Sequence, residues 1–171
     1  GDGDIGGAGS LAINSAGGST EASLRDGAVI TTTGDVAVSA TSNSYSVATA
    51  LPKAEASGKS LGLGLSVAVN VSDHDTQTYM AGGAAIAAAD DLTLAATTDH
   101  AMTTLAKAGA KAGETGTAIG GAVALGVTLN DTRSEIRAGA GALEVGGDLG
   151  ITSTALELQR NEANADTKGA E

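Results

Sequence analysis

The chain has 171 residues, 42% of them hydrophobic, yet it contains no Phe, no Trp, no Cys, only two Tyr and 26 Gly. A core without large aromatic pieces suits thin, regular layers rather than one globular centre, and the missing Cys excludes a disulfide framework and a thiolate metal site. With 20 acidic against 9 basic residues the formal net charge is −11, which leaves no basic face for nucleic acid or an anionic membrane surface and favours solubility and cation binding.

The first unit, residues 1–60, carries the run Ser10-Leu11-Ala12-Ile13-Asn14, then a polar stretch, then Gly27-Ala28 and Val29-Ile30. Gly34-Asp35 turns into the alternating strand Val36-Ala37-Val38. Its tail, Ser44 to Ala56, holds Pro52, the one proline. Proline is excluded from mid-strand except at an edge or bulge, so the chain should bend or loop there.

The second unit, residues 61–117, is the most regular. Leu61, Leu63, Leu65, Val67, Val69 and Val71 alternate with Gly62, Gly64, Ser66, Ala68 and Asn70, a period-two strand signal. The period places Leu65, Val67 and Val69 inside, together with Leu92 and Leu94 of the later strand. Ser72 to Gln77 reads as a loop, with Asp73, His74 and Asp75 exposed on one side. Thr78 to Ala81 and Ala84 to Ala88 are short strands, and Asp90-Asp91 turns into Leu92-Thr93-Leu94. His100 to Ala112 alternates more loosely. Its Ala and Lys also favour helix, but the matching stretch of the first unit contains Pro52.

The third unit, residues 118–171, repeats the scheme. Asn130 stands as the counterpart of Asn14 and Asn70, and Gly147-Asp148 as the counterpart of Gly34-Asp35 and Asp90-Asp91. Counted from Asn130, its loop is about three residues shorter than in the second unit. The uncharged run Ala118 to Val127 is too short to cross a bilayer. The sequence starts and stops partway through a unit, so it reads as a fragment of a longer protein.

The anchors Asp35, Asp91 and Asp148 lie 56 and 57 residues apart (91 − 35 and 148 − 91). Constant spacing on this scale indicates stacked repeats, each burying its apolar face on its neighbours. The expected fold is therefore all-β: one continuous parallel β-solenoid over residues 1–171. A period near 57 residues would make two or three coils, each adding about 4.8 Å. The alternative is a string of small β-sandwich units, although about 57 residues without aromatics is little from which to build an independent core. The three Asp corners should stack along one axis.

The pattern of Ser66-Val67-Ala68-Val69-Asn70 and of Gly34-Asp35-Val36-Ala37-Val38-Ser39-Ala40 resembles the tandem repeats of giant bacterial surface and secreted adhesins, of the filamentous-haemagglutinin-like or autotransporter-like kind. The resemblance covers essentially the whole chain. It implies an extended β-helix on the surface of, or secreted by, a Gram-negative bacterium, serving as stalk or fibre. It carries over no catalytic residue.

Individual candidates are few. Gly1-Asp2-Gly3-Asp4-Ile5-Gly6 has the spelling of a dinucleotide loop but leads towards another strand, whereas that loop needs a helix N-terminus. Asp73 and Asp75 put two carboxylates on one loop and are the best calcium ligands on offer; Asp2, Asp4, Asp90 and Asp91 are weaker. His74 and His100 lack metal-ligand spacing and read as surface histidines. Asn70-Val71-Ser72 and Asn130-Asp131-Thr132 spell glycosylation sites, but the shared Asn more simply caps a strand end. No catalytic residue or organic cofactor is expected, and the chain reads as a non-enzyme. The leading reading is structural or adhesive fibre material able to associate laterally or end to end, without nucleic acid or membrane insertion. The second reading is a calcium-dependent extracellular binding module.

Overall fold

The computed structural model describes residues 4–52 and 56–168. The chain is a parallel β-solenoid of three rungs, and no helix occurs among the described residues. The first rung comprises β1 (Ile5–Leu24), β2 (Val29–Thr31), β3 (Val36–Ala50) and β4 (Ala56–Gly58). The second comprises β5 (Leu61–Met80), β6 (Ala85–Ala89) and β7 (Leu92–Ala112). The third comprises β8 (Thr117–Ile136), β9 (Leu143–Val145) and β10 (Leu149–Lys168). Like strands stack on like strands in three parallel sheets: β1-β5-β8, β2-β6-β9 and β3-β7-β10.

The register is strict. Ile5 pairs with Leu61 and Leu61 with Thr117; Val36 pairs with Leu92 and Leu92 with Leu149. Each repeat is therefore a single coil, not two or three. The extra chain length goes into strand length: β5 has 20 residues and β7 has 21. The stretch Ser72 to Gln77 is no loop but the middle of β5. Its polar residues stay in the strand because the ladder continues on both sides, through Ala16–Glu21 and Thr128–Arg133. His100 to Ala112 is strand throughout. β3 stops at Ala50, just before Pro52, and pairing on β7 resumes at Ala56.

The third repeat is registered differently from its spelling. Asn70 pairs with Gly126, while Asn130 pairs with His74. The turn after β8 is longer by a residue rather than shorter by three, since Met80 pairs with Ile136 but Ile86 with Leu143. The Asp corners do stack. The Val36 amide donates to the Asp91 carbonyl, the Leu92 amide to the Asp148 carbonyl, and the Asp148 amide to Asp91 Oδ1 at 2.8 Å. The other corner turns with Gly27, Gly82, Gly83 and Gly139 at positive φ, the left-handed region that glycine enters without penalty.

The faces of the first sheet are opposite to expectation. Along residues 61–72 of β5 the buried residues are Gly62, Gly64, Ser66, Ala68, Asn70 and Ser72. Leu63 and Leu65 point outward and Leu65 is 65% exposed; Val67 and Val69 point the same way and are half-buried by their ladder neighbours. The reason is depth. The sheets β1-β5-β8 and β3-β7-β10 press directly on each other here. A Cβ on Gly62 would collide with the Lys111 carbonyl, and one on Gly64 with that of Gly109. Only the small face fits such a seam. Where the short sheet β2-β6-β9 opens the section into a wedge, large residues do turn inward. Met80, Ile86, Leu92 and Leu94 are fully buried there, packed against Leu24, Ile30, Val38, Ile136 and Leu143. Burial of each such side chain contributes about 1.5–3 kcal/mol.

Candidate functional site

The chemistry-bearing side chains gather in the seam. The inward columns Asn14–Asn70 and Gly18–His74–Asn130 of the first sheet meet Ser44–His100–Glu157 and Ser46–Met102 of the facing sheet. Asn14 Nδ2 donates to Asn70 Oδ1 at 2.9 Å and to Ser46 Oγ at 3.0 Å. Ser46 Oγ donates to Asn70 Oδ1 at 2.6 Å, and Asn70 Nδ2 reaches the Thr103 carbonyl at 3.2 Å. Ser66 Oγ donates to the Ala50 carbonyl at 2.8 Å. Asn70 therefore caps no strand end. It ties two sheets together in mid-strand, and with no exposure at all it cannot accept a glycan.

His100 is not a surface residue, and His74 is half-buried. Their rings stand 5.3 Å apart, centroid to centroid, and His100 is only 1% exposed. His100 Nδ1 pairs with Ser44 Oγ at 2.6 Å, while its Nε2 finds no protein partner. Burial holds the imidazole below its ordinary pKa; the neighbouring His74 pushes the same way and Glu157 opposes. A hydroxyl–imidazole pair is the start of a nucleophile–base arrangement, but here no carboxylate orients the second nitrogen. Ser72 Oγ, Thr76 Oγ1, Thr104 Oγ1, Thr128 Oγ1 and the Asn130 amide are also buried without partners. Each such group costs about 1–3 kcal/mol relative to a satisfied one.

The outer carboxylates lie apart from the histidines. Asp73 and Asp75 are exposed on the outer face of β5, two residues apart. Asp75 is in register with Asp131, which Arg133 engages at 3.2 Å. Among the described residues no group of three or more His, Asp or Glu side chains converges as a metal cluster. At the adjoining corner, Tyr79 donates its hydroxyl to Glu21 at 2.9 Å and carries the Arg137 guanidinium over its ring at 3.5 Å. The Tyr79 hydrogen bond, with one from Ser23, lowers the Glu21 pKa. Gly1, Asp2 and Gly3 of the dinucleotide-like spelling fall outside the described residues. Asp4 leads straight into β1, so no helix N-terminus follows.

Sequence reasoning missed the His74–His100 pairing and the Asn–Ser network. One signal was available: inward and outward positions alternate strictly, and Asn70, Ser72, His74, Thr76 and Thr78 share the parity of Gly62 and Gly64. No family model, curated protein or solved structure matches the chain. No helix among the described residues is long and apolar enough to cross a membrane.

Proposed function

We propose that the chain is structural or adhesive repeat material of a bacterial extracellular fibre or surface adhesin, working as a stalk that holds other binding regions away from the cell. One observation carries this reading: each 56–57-residue repeat forms one complete rung, and the long strands of successive rungs pair residue for residue without a register shift. Such a unit lengthens by addition. Every further rung adds about 4.8 Å without changing the cross-section. The hydrogen-bonding chemistry found in the seam serves the same end, because Asn14, Asn70 and Ser46 satisfy one another across the sheets and leave no group facing outward.

The test places one, two or three in-register copies between a cell-surface anchor and a reporter binding domain. Reporter height should rise by about 14 Å per three-rung copy. Adhesion should follow copy number and survive any single outer-face substitution. Loss of adhesion on one outer-face change, with the β signal intact, would instead show a discrete binding site.

A further inference from the structure

The outer face of β1-β5-β8 is apolar over the first half of each strand. It exposes Ile5, Leu11, Ile13, Leu63, Leu65, Ile119, Val123 and Leu125. Its outward positions over 5–15, 61–71 and 117–127 bear no charge. The second half is acidic, with Asp73, Asp75 and Asp131. A contiguous apolar patch of this kind is often a functional surface.

We propose that this face binds a second copy of the same chain, face to face and antiparallel. The twofold axis lies between the two sheets, perpendicular to the strands, midway between the columns Gly9–Leu65–Gly121 and Leu11–Val67–Val123. Relief makes the face self-complementary about that axis. In the first rung Leu11, 68% exposed, meets the notch at Gly9 of the other copy, and Ile13, 70% exposed, meets Gly7. Both notches are open: a Cβ at Gly7 would touch nothing within 4 Å, and one at Gly9 only the Leu65 carbonyl at 3.6 Å. In the second rung Leu65 meets Val67 and Leu63 meets Val69. In the third, Val123 covers Gly121. Charge selects the same direction. Parallel packing would set the acidic halves against each other. The antiparallel pair carries each acidic half past the apolar patch of the other copy and brings Asp73 towards the exposed Lys59.

Area agrees. Half of a 20-residue strand spans about 33 Å, and three strands span about 14 Å. Each copy thus contributes roughly 460 Å², and the pair about 920 Å², the size of a weak, transient interface. A lipid surface fits less well: the patch has no Trp, no flanking Lys or Arg girdle, and an acidic border that anionic headgroups would repel. The pairing goes beyond the stalk reading and can fail separately, since a monomeric stalk still lengthens with copy number.

The experiment is sedimentation equilibrium of the full chain at about 100 µM, a concentration that populates a weak, transient pair. The wild type should run at twice its 16.3 kDa. Ile13→Lys and Gly7→Leu should each run at monomer mass with unchanged circular dichroism. Gly7→Leu guards against misfolding, because its new side chain enters open space in the isolated copy. Lys59→Glu should weaken pairing about three- to tenfold through loss of an interfacial charge attraction. A monomeric wild type, or a dimer unaffected by both Ile13→Lys and Gly7→Leu, would overturn the proposal. Flotation of the chain with neutral phosphatidylcholine vesicles, alongside a monomer in buffer, would overturn it too and make lipid the occupant.

Discussion

The wedge end and the thin seam are built from the same strands and obey opposite rules. At the wedge, β6 props the two long sheets apart, and Met80, Ile86, Leu92 and Leu94 fill the space. At the opposite end of β5 and β7, beyond the buried His100 and Met102, the sheets touch, and against the Gly109 and Lys111 backbone only Gly64 and Gly62 fit. The Leu and Val residues of that stretch then have nowhere to go but outward. Hydrophobicity alone does not choose the buried face of a two-sided strand. Available depth does, because a collision with backbone costs more than the roughly 1.5–3 kcal/mol gained by burying one Leu.

The largest expected effect comes from charging the seam. Ala68→Asp, at a position with no exposure, should destabilise by more than about 4 kcal/mol and abolish the β signal. Val69→Asp, one residue on and outward, should change the melting of the isolated copy by less than about 1 kcal/mol. Equal losses in the two variants would erase the distinction between the faces.

Next comes the wedge. Leu94→Ala should cost about 2–5 kcal/mol by leaving a cavity, whereas Leu65→Ala on the outer face should cost under about 1 kcal/mol. Denaturant titration of both variants measures the contrast. Within the seam, Asn14→Ala removes two donated hydrogen bonds and leaves Asn70 and Ser46 with fewer partners. A loss of about 1–2 kcal/mol is expected, visible as a lower urea midpoint at unchanged slope.

The smallest effect is pH-dependent. His100 is held below its ordinary pKa of 6.5 by burial and by His74, against Glu157. The unfolded chain therefore binds a proton that the folded chain refuses. Stability is unaffected above about pH 6.5 and declines as pH falls below it. His100→Gln should flatten this part of the melting profile relative to wild type. An unchanged difference between pH 7 and pH 5 would mean the ring is hydrated and freely titrating.

The solenoid was legible because the Asp corners and the alternation recur at one period, and a period is a property of sequence. The stacking of Asp35, Asp91 and Asp148 and the interruption after Ala50 followed directly. Face choice was not legible. Period two places Leu65 and Ser66 on opposite sides but does not say which side is thin, and that depends on β7 pressing Gly109 and Lys111 against β5. The polar tract 72–77 read as a loop for the same reason, since its inward Ser72 and Thr76 are polar yet buried within a ladder, with His74 half-buried between them. The third rung shows that matching Asn residues do not guarantee matching register: Asn130 sits beside His74, and Gly126 holds the place of Asn70.

The face inversion on β5 is open to one direct measurement, because the chain has no Cys and a single introduced thiol reports its own exposure. Leu65→Cys and Ser72→Cys are made in the Ile13→Lys background and treated with a maleimide under native conditions. Leu65→Cys should react at nearly the rate of a free thiol, while Ser72→Cys, at a fully buried position, should react only as fast as the fold opens. Rapid labelling at position 72 with protection at position 65 would put the apolar face inside and contradict the thin-seam account.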